Sequence, residues 1–230
     1  ATLQVANFAG IKQAALEAFS YVYNNIAYEP YAGVMKGAAA TEATKSANDC
    51  DQATLLVAKL QAAGLSAQQV RYAFSRITPN IGDLIAWLGT RDTPGGDTTA
   101  TGNILATAGL NPVSANGADQ AATYTIDHFW VQAYLPGPNG FAWYDLDASW
   151  KFKDYHAAVI DALSAVPYVP LNADGSINSA GYLGQALSDS TPLPFEWYEG
   201  QVQDYLATHN PGTSIADASH DGDILAKQCS

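Results

Sequence analysis

The chain is poor in positive charge. Ten Lys and Arg stand against 22 Asp and Glu in 230 residues, a formal net charge of −12. Surfaces that hold nucleic acid or an anionic bilayer need basic patches, so neither partner is expected. No stretch approaches the roughly 18 consecutive apolar residues that would cross a bilayer. Cysteine is scarce: Cys50 and Cys229 lie far apart and make no disulfide framework. A single bridge between them would block Cys50 as a nucleophile. His156, His209 and His220 show no metal-ligand spacing, and no cysteine cluster accompanies them.

Apolar residues make up 48% of the chain, enough for a core without staples. Asn7 to Ile26 reads as a helix, with Phe8, Ile11, Ala15, Phe19 and Val22 at helical spacing. A second, buried helix is expected from Asp49, with Asp49 as its N-cap, Gln52 completing a capping-box-like pair and Gly64 as its stop. Val70 to Ile77 alternates as a strand does. Ile81 to Leu88 and Ile104 to Leu110 read as short helices within an insertion spanning about 80–117. Ala122 to Leu135 and Phe141 to Leu146, joined by Gly137–Gly140, form an antiparallel hairpin. Tyr155 to Leu163 and Phe195 to Thr208 are expected to be helical. Helices followed by antiparallel strands make an α+β domain. The expected organisation is a core over 1–155 and a helical and irregular extension of the same domain over 156–230.

Three positions carry potential chemistry. Cys50 lies in the first turn of a buried helix, where free backbone N–H groups favour a thiolate. Asp49 and Asp51 flank it and oppose that charge, so an imidazolium within reach would have to decide the balance. His128 on the long strand is the candidate base. Ile126, His128 and Trp130 share one strand face; Trp143, Asp145 and Asp147 share a face of the partner strand. Parity leaves both Asp145 and Asp147 open as the carboxylate that orients His128.

The segment KSANDCDQATLLVAKLQAAGLSAQQV (Lys45 to Val70) resembles the cysteine box of bacterial transglutaminase-like domains. DHFWVQAYLPGPNGFAWYDLDASWK (Asp127 to Lys151) resembles the same family's histidine and aspartate boxes. YVYNNIAYEPYAG (Tyr21 to Gly33) is similar to the preceding helix and loop, and DLIAWLGTRD to an insertion of large exported members. The resemblance spans roughly Ala15 to Lys153. It implies a papain-like fold, with the nucleophile helix packed on an antiparallel sheet. It also implies Cys50 as nucleophile, His128 as general base and Asp147 as its orienting partner, and no metal or organic cofactor. Gln61, Leu65–Gln68 and Gln132 depart from the family pattern outside that triad.

The function this implies is thiol-dependent acyl transfer or amide hydrolysis on a peptide or protein substrate through a thioester. Water or an amine would resolve that thioester. Tyr28, Tyr31 and Trp130 are candidate substrate-binding residues. A cysteine peptidase, a self-processing domain and a catalytically inactive binding module remain as alternatives. Asn172 to Asn178 resembles part of a calcium loop but lacks its first carboxylate and closing Glu, and reads as a turn. With Ala1 in place of Met and a Lys-poor composition, the expectation is a piece of a longer exported protein, whether periplasmic, cell-surface or secreted.

Overall fold

A computed structural model describes residues 2–90, 92, 96–114, 123–156, 158–185, 194–215 and 221–227. Two compact units are present: one of residues 1–154 with 223–230, the other of Tyr155–Gly222. Cys229 and His220 lie outside the described residues. No helix among those described is long and apolar enough to cross a membrane.

The first unit opens with α1 (Thr2–Asn25), followed by β1 (Ala27–Tyr28), α2 (Gly37–Thr44), β2 (Ser46–Ala47) and α3 (Asp49–Ala62). Next come β3 (Val70–Ile77), α4 (Ile81–Leu88), α5 (Thr99–Thr107), β4 (Val113–Ser114), β5 (Tyr124–Gly137) and β6 (Gly140–Leu146). The expected hairpin is β5–β6, in the register Val131↔Leu146 through Gly137↔Gly140. Strand β3 pairs along the opposite edge of β5, from Val70↔Ala133 to Ile77↔Ile126. Strand β4 meets the start of β5 at Thr125 and Tyr124.

The 14 residues of β5 serve two cores. Tyr124, Ile126 and His128 are buried on one face, and Val131, Ala133 and Leu135 on the other. The second group packs with Phe19 and Val22 of α1 and Leu55, Leu56 and Leu60 of α3. The first packs with Ile81, Leu84 and Trp87 of α4 and with Leu105 of α5. The segment read from sequence as an insertion therefore builds a second core. A strand buried alternately on both faces needs cover on both sides, and α4 and α5 provide half of it.

The edge of β5 away from β3 has a gap between β4 and β6. Two non-strand groups fill it: Asp127 N–H donates to Leu110 O at 2.8 Å, and Phe129 N–H donates to Asp49 Oδ2 at 3.0 Å. Buried backbone donors rarely go unpaired, so this ladder is completed by a side chain from the start of α3.

Helix α3 starts as expected, but its cap is Asn48 rather than Asp49. The Asn48 side chain accepts from Asp51 N–H, and its amide donates to Tyr31 O at 2.9 Å and Gly33 O at 2.7 Å. Asn supplies donor and acceptor together, which a carboxylate cannot. Asp49 is thereby released from capping.

Lys151 is buried at 1% exposure, and its Nζ donates to Val22 O at 3.1 Å and Ile26 O at 2.5 Å. It thus closes the carbonyl end of α1 from a distant part of the chain. Two acceptors match the two N–H bonds of a neutral amine. Burial pulls Lys151 down to about 7, against the pull of Asp147.

In the second unit the helix expected over Tyr155–Leu163 is replaced. Strand β7 covers Lys153–His156, and α6 (Ala162–Ala165) starts only after Asp161, whose side chain accepts from Ser164 N–H. After α7 (Tyr182–Gln185), α8 (Pro194–His209) buries Val202 and Leu206, and Tyr198 Oη donates to Ala162 O and Val166 O at 3.1 and 2.9 Å. Strand β8 (Asp221–Ile224) follows. The 172–178 segment is a turn in which Asp174 accepts from Ser176 N–H at 2.9 Å, flanked by a Leu171↔Ile177 bridge.

Because the folded Lys151 pKa lies below the unfolded value near 10.4, only the unfolded chain holds that proton between pH ~7 and ~10.4. Its contribution therefore improves as pH rises through that window. Urea unfolding at pH 6 and pH 9 should show wild type gaining on Lys151→Met by on the order of 2–4 kcal/mol. An unchanged difference would mean that Lys151 keeps its charge in the fold.

Candidate active site

His128 is buried at 2% exposure where β5 changes its buried face. Its Nε2 lies 2.7 Å from Asp147 Oδ2. Asp147 is held in turn: its Oδ1 accepts from Ser149 N–H at 3.2 Å, Ser149 Oγ at 2.9 Å and Trp150 N–H at 3.1 Å. Of the two carboxylates that parity left open, Asp147 is the one on the imidazole. Asp145 is engaged elsewhere, accepting from Trp130 Nε1 at 2.6 Å and Gln132 Nε2 at 2.7 Å.

Three indoles surround the imidazole. Ring centroids lie at 5.9 Å for Trp87, 5.6 Å for Trp150 and 6.0 Å for Trp130, which stacks on it. Trp87 is anchored by its Nε1 donating to Ser149 O at 2.8 Å. It comes from α4, in the segment read as an insertion, and only the second core brings it to His128. Tyr28 packs on Trp87 at 4.2 Å, and its buried hydroxyl has no hydrogen-bond partner among the described residues.

The second imidazole nitrogen faces Asp49. His128 Nδ1 lies 3.4 Å from Asp49 Oδ2, an ion-pair contact without a hydrogen bond, and both side chains are 2% exposed. Asp49 Oδ1 also accepts from Cys50 N–H at 2.9 Å. Burial alone would pull the imidazole down. The carboxylates of Asp147 and Asp49 overcome that and hold it at about 9, so it is an imidazolium at neutral pH.

No hydrogen bond or ion pair joins Cys50 and His128 among the described residues; Asp49 lies against both, through Cys50 N–H and His128 Nδ1. Cys50, half-buried and free, lines a cavity of about 510 Å³ with Gly33, Asn48, Asp49, Phe74 and Phe129. His128 lines another of about 250 Å³ with Trp130, Asp147 and Trp150. Burial first, then the charge of Asp49, push the Cys50 thiol up to about 12. The flanking carboxylates oppose the thiolate, as the sequence suggested.

Asp51 organises the cavity rim. It accepts from Tyr31 Oη at 2.7 Å and from the backbone N–H groups of Met35, Lys36 and Gly37 at 2.9, 3.0 and 2.7 Å. Burial works against that carboxylate, and these four donors more than compensate, holding its pKa below the usual value. Tyr31, expected on the substrate side, is thus tied to Asp51. Among the described residues no group of three or more His, Cys, Asp and Glu could hold a metal ion.

The model of the transglutaminase-like superfamily core matches residues 4–148, well over half of the chain. The chain belongs to the transglutaminase-like superfamily. Neither the curated proteins nor the solved structures contain a match to it. The matched span covers α1 through β6 and ends just beyond Asp147. Superfamily membership agrees with the α+β fold seen in the first unit, and it makes cysteine-based acyl transfer or hydrolysis the chemistry against which the site is judged. Asp49 is the site residue that sequence reading missed as a participant. Its signal was adjacency to Cys50, but a helix start uncertain by one residue cannot say which of two neighbours faces the sheet.

Two outcomes follow from this geometry. Asp51→Ala leaves four donors without their acceptor and should cost about 2–4 kcal/mol in denaturant unfolding. The folded pKa of His128 lies above its ordinary 6.5, so its contribution is full below pH ~6.5 and is lost as pH climbs through about 9. His128→Gln should remove that loss, flattening the stability–pH curve in this window by on the order of 1–3 kcal/mol.

Proposed function

We propose that the first unit carries out thiol-dependent acyl transfer or amide hydrolysis on a peptide or protein segment, with Cys50 as nucleophile, His128 as base and Asp147 as its orienting carboxylate. The observation that carries this reading is the imidazole of His128, whose Nε2 lies on Asp147 while its Nδ1 faces the first turn of α3, the turn that bears Cys50. A thiol must be a thiolate to attack a carbonyl, and burial and Asp49 oppose that charge in the resting site, so the reading requires the imidazole to take the thiol's proton. The superfamily's acyl chemistry supports a polypeptide as the ligand class. The exposed rings of Tyr72 and Phe74 on β3 support it further, as does a cleft in the size range of ligand sites.

A second reading is binding of a peptide or protein segment at the same cleft with no thioester formed. It is favoured by the Cys50 thiol, which burial and the charge of Asp49 push up to about 12.

Iodoacetamide labelling of Cys50 between pH 5 and 9, read by peptide mass, separates the two. The binding reading expects slow labelling below pH 8 that His128→Ala leaves unchanged. Rapid labelling well below the free-thiol pKa near 8.5, abolished by His128→Ala, would establish the acyl-transfer reading instead.

A further inference from the structure

The cavity that Cys50 lines offers a bound segment little beyond the thiol to bond to. Four other polar side chains reach it, and each has a partner within the chain. The Asn48 amide donates to Tyr31 O and Gly33 O, and its oxygen accepts from Asp51 N–H. Asp49 accepts from Cys50 N–H and Phe129 N–H. Asp127 lies 3.1 Å from Arg76 Nε and accepts from Asn111 Nδ2 at 2.8 Å. A polar group entering here gives up water for partners already engaged, which costs free energy.

The rest of the wall is apolar, and part of it is open. Phe74 on β3 is 53% exposed, and its ring packs on Phe129 of β5 with centroids 4.7 Å apart. The two are register partners, so their side chains stand on one face of the sheet. That face is the one against which α3 packs, because Val131 and Ala133, on the same side of β5 as Phe129, meet Leu55, Leu56 and Leu60. Val34, in the loop before α2, lines the same cavity at 65% exposure. A half-exposed aromatic pair beside a thiol is surface that a bound apolar side chain would remove from water. The charged groups lining the cavity are the carboxylates of Asp49 and Asp127, in a chain of net charge −12, so an acidic side chain is repelled.

With Cys50 read as the nucleophile, on which this rests, we infer that the cavity selects a bulky apolar side chain beside the carbonyl that Cys50 attacks and rejects an acidic one. Phe74 and Phe129 set that preference. The volume of about 510 Å³ is in the range of ligand sites. Phe74 is the residue to vary: Phe129 N–H is tied to Asp49, whereas the Phe74 ring is half in solvent.

The test alkylates Cys50 of the full chain at pH 8 with iodoacetamide, N-benzyl-iodoacetamide and N-carboxymethyl-iodoacetamide. Each adduct is located by peptide mass, and each rate is divided by that of the same reagent with N-acetylcysteine. In every case a C–S bond forms at the methylene carbon, the C–I bond breaks and iodide leaves with the electron pair. The thiol's proton goes to a base, His128 in the proposed reading. The benzyl reagent should outpace iodoacetamide by about tenfold or more, and the carboxymethyl reagent should fall behind it. Phe74→Ala should remove most of the benzyl advantage, and Phe74→Leu, which keeps apolar surface, should retain most of it.

A benzyl reagent no faster than iodoacetamide overturns the inference, as does an advantage that Phe74→Ala leaves intact. Should Phe74→Ala fail to fold, Val34→Asp places a charge at an open position of the same wall and should lower the benzyl advantage about fivefold; an unchanged ratio overturns the inference. Failure of the acyl-transfer reading has a separate signature. Labelling by plain iodoacetamide that ignores His128→Ala overturns that reading, and a benzyl preference that persists there supports the cavity's selectivity as that of a binding cleft.

Discussion

The buried carboxylate of Asp49 ties together the parts of the first unit that form the site. Strand β5 has its ladder interrupted between β4 and β6, and the start of α3 is seated in that interruption through Asp49 and Phe129 N–H. The same carboxylate faces His128 and holds the first backbone N–H after it in α3. A buried charge is stable only when paired and hydrogen-bonded, and Asp49 meets both conditions by drawing the helix start, the sheet edge and the imidazole to one point. The chemistry available to the site follows from this packing requirement.

His128 shows the other side of the bargain. It sits between two carboxylates inside three indoles, an environment that would otherwise expel its charge. The paired carboxylates win, and the ring is cationic at neutral pH. The Cys50 thiol lines a cavity with Asp49 and Phe129, and burial and the carboxylate of Asp49 push it up. Lys151, buried by the same part of the chain, is shifted in the opposite sense. Its contribution to stability rises with pH where that of His128 falls, so the two partly offset each other across the neutral and mildly alkaline range.

The first unit carries the superfamily scaffold over residues 4–148. The hairpin, the imidazole and its orienting aspartate are all in position, and the aromatic surround is complete. Tyr31, which sequence reasoning placed with the substrate, serves Asp51 and the rim loop. Trp130 does line the imidazole cavity, and Tyr28 backs Trp87 with its hydroxyl unpartnered.

Much of this was legible in the residue pattern, for local reasons. Alternation over Val70–Ile77, the GPNG turn and the apolar run after Asp49 are signals read within a few residues, and they located β3, the β5–β6 hairpin and α3. The order of the three motif regions was enough to recognise the superfamily. What the pattern could not contain was direction across space. Whether Asp145 or Asp147 meets His128 depends on cross-strand bonding at Trp130 and Gln132, which claims Asp145. Whether α4 is an insertion or a core layer depends on β5 burying opposite faces in its two halves. Whether Asp49 caps α3 or reaches the sheet depends on Asn48 taking the cap. Each of these turns on a contact between residues distant in sequence, and only the folded chain decides it.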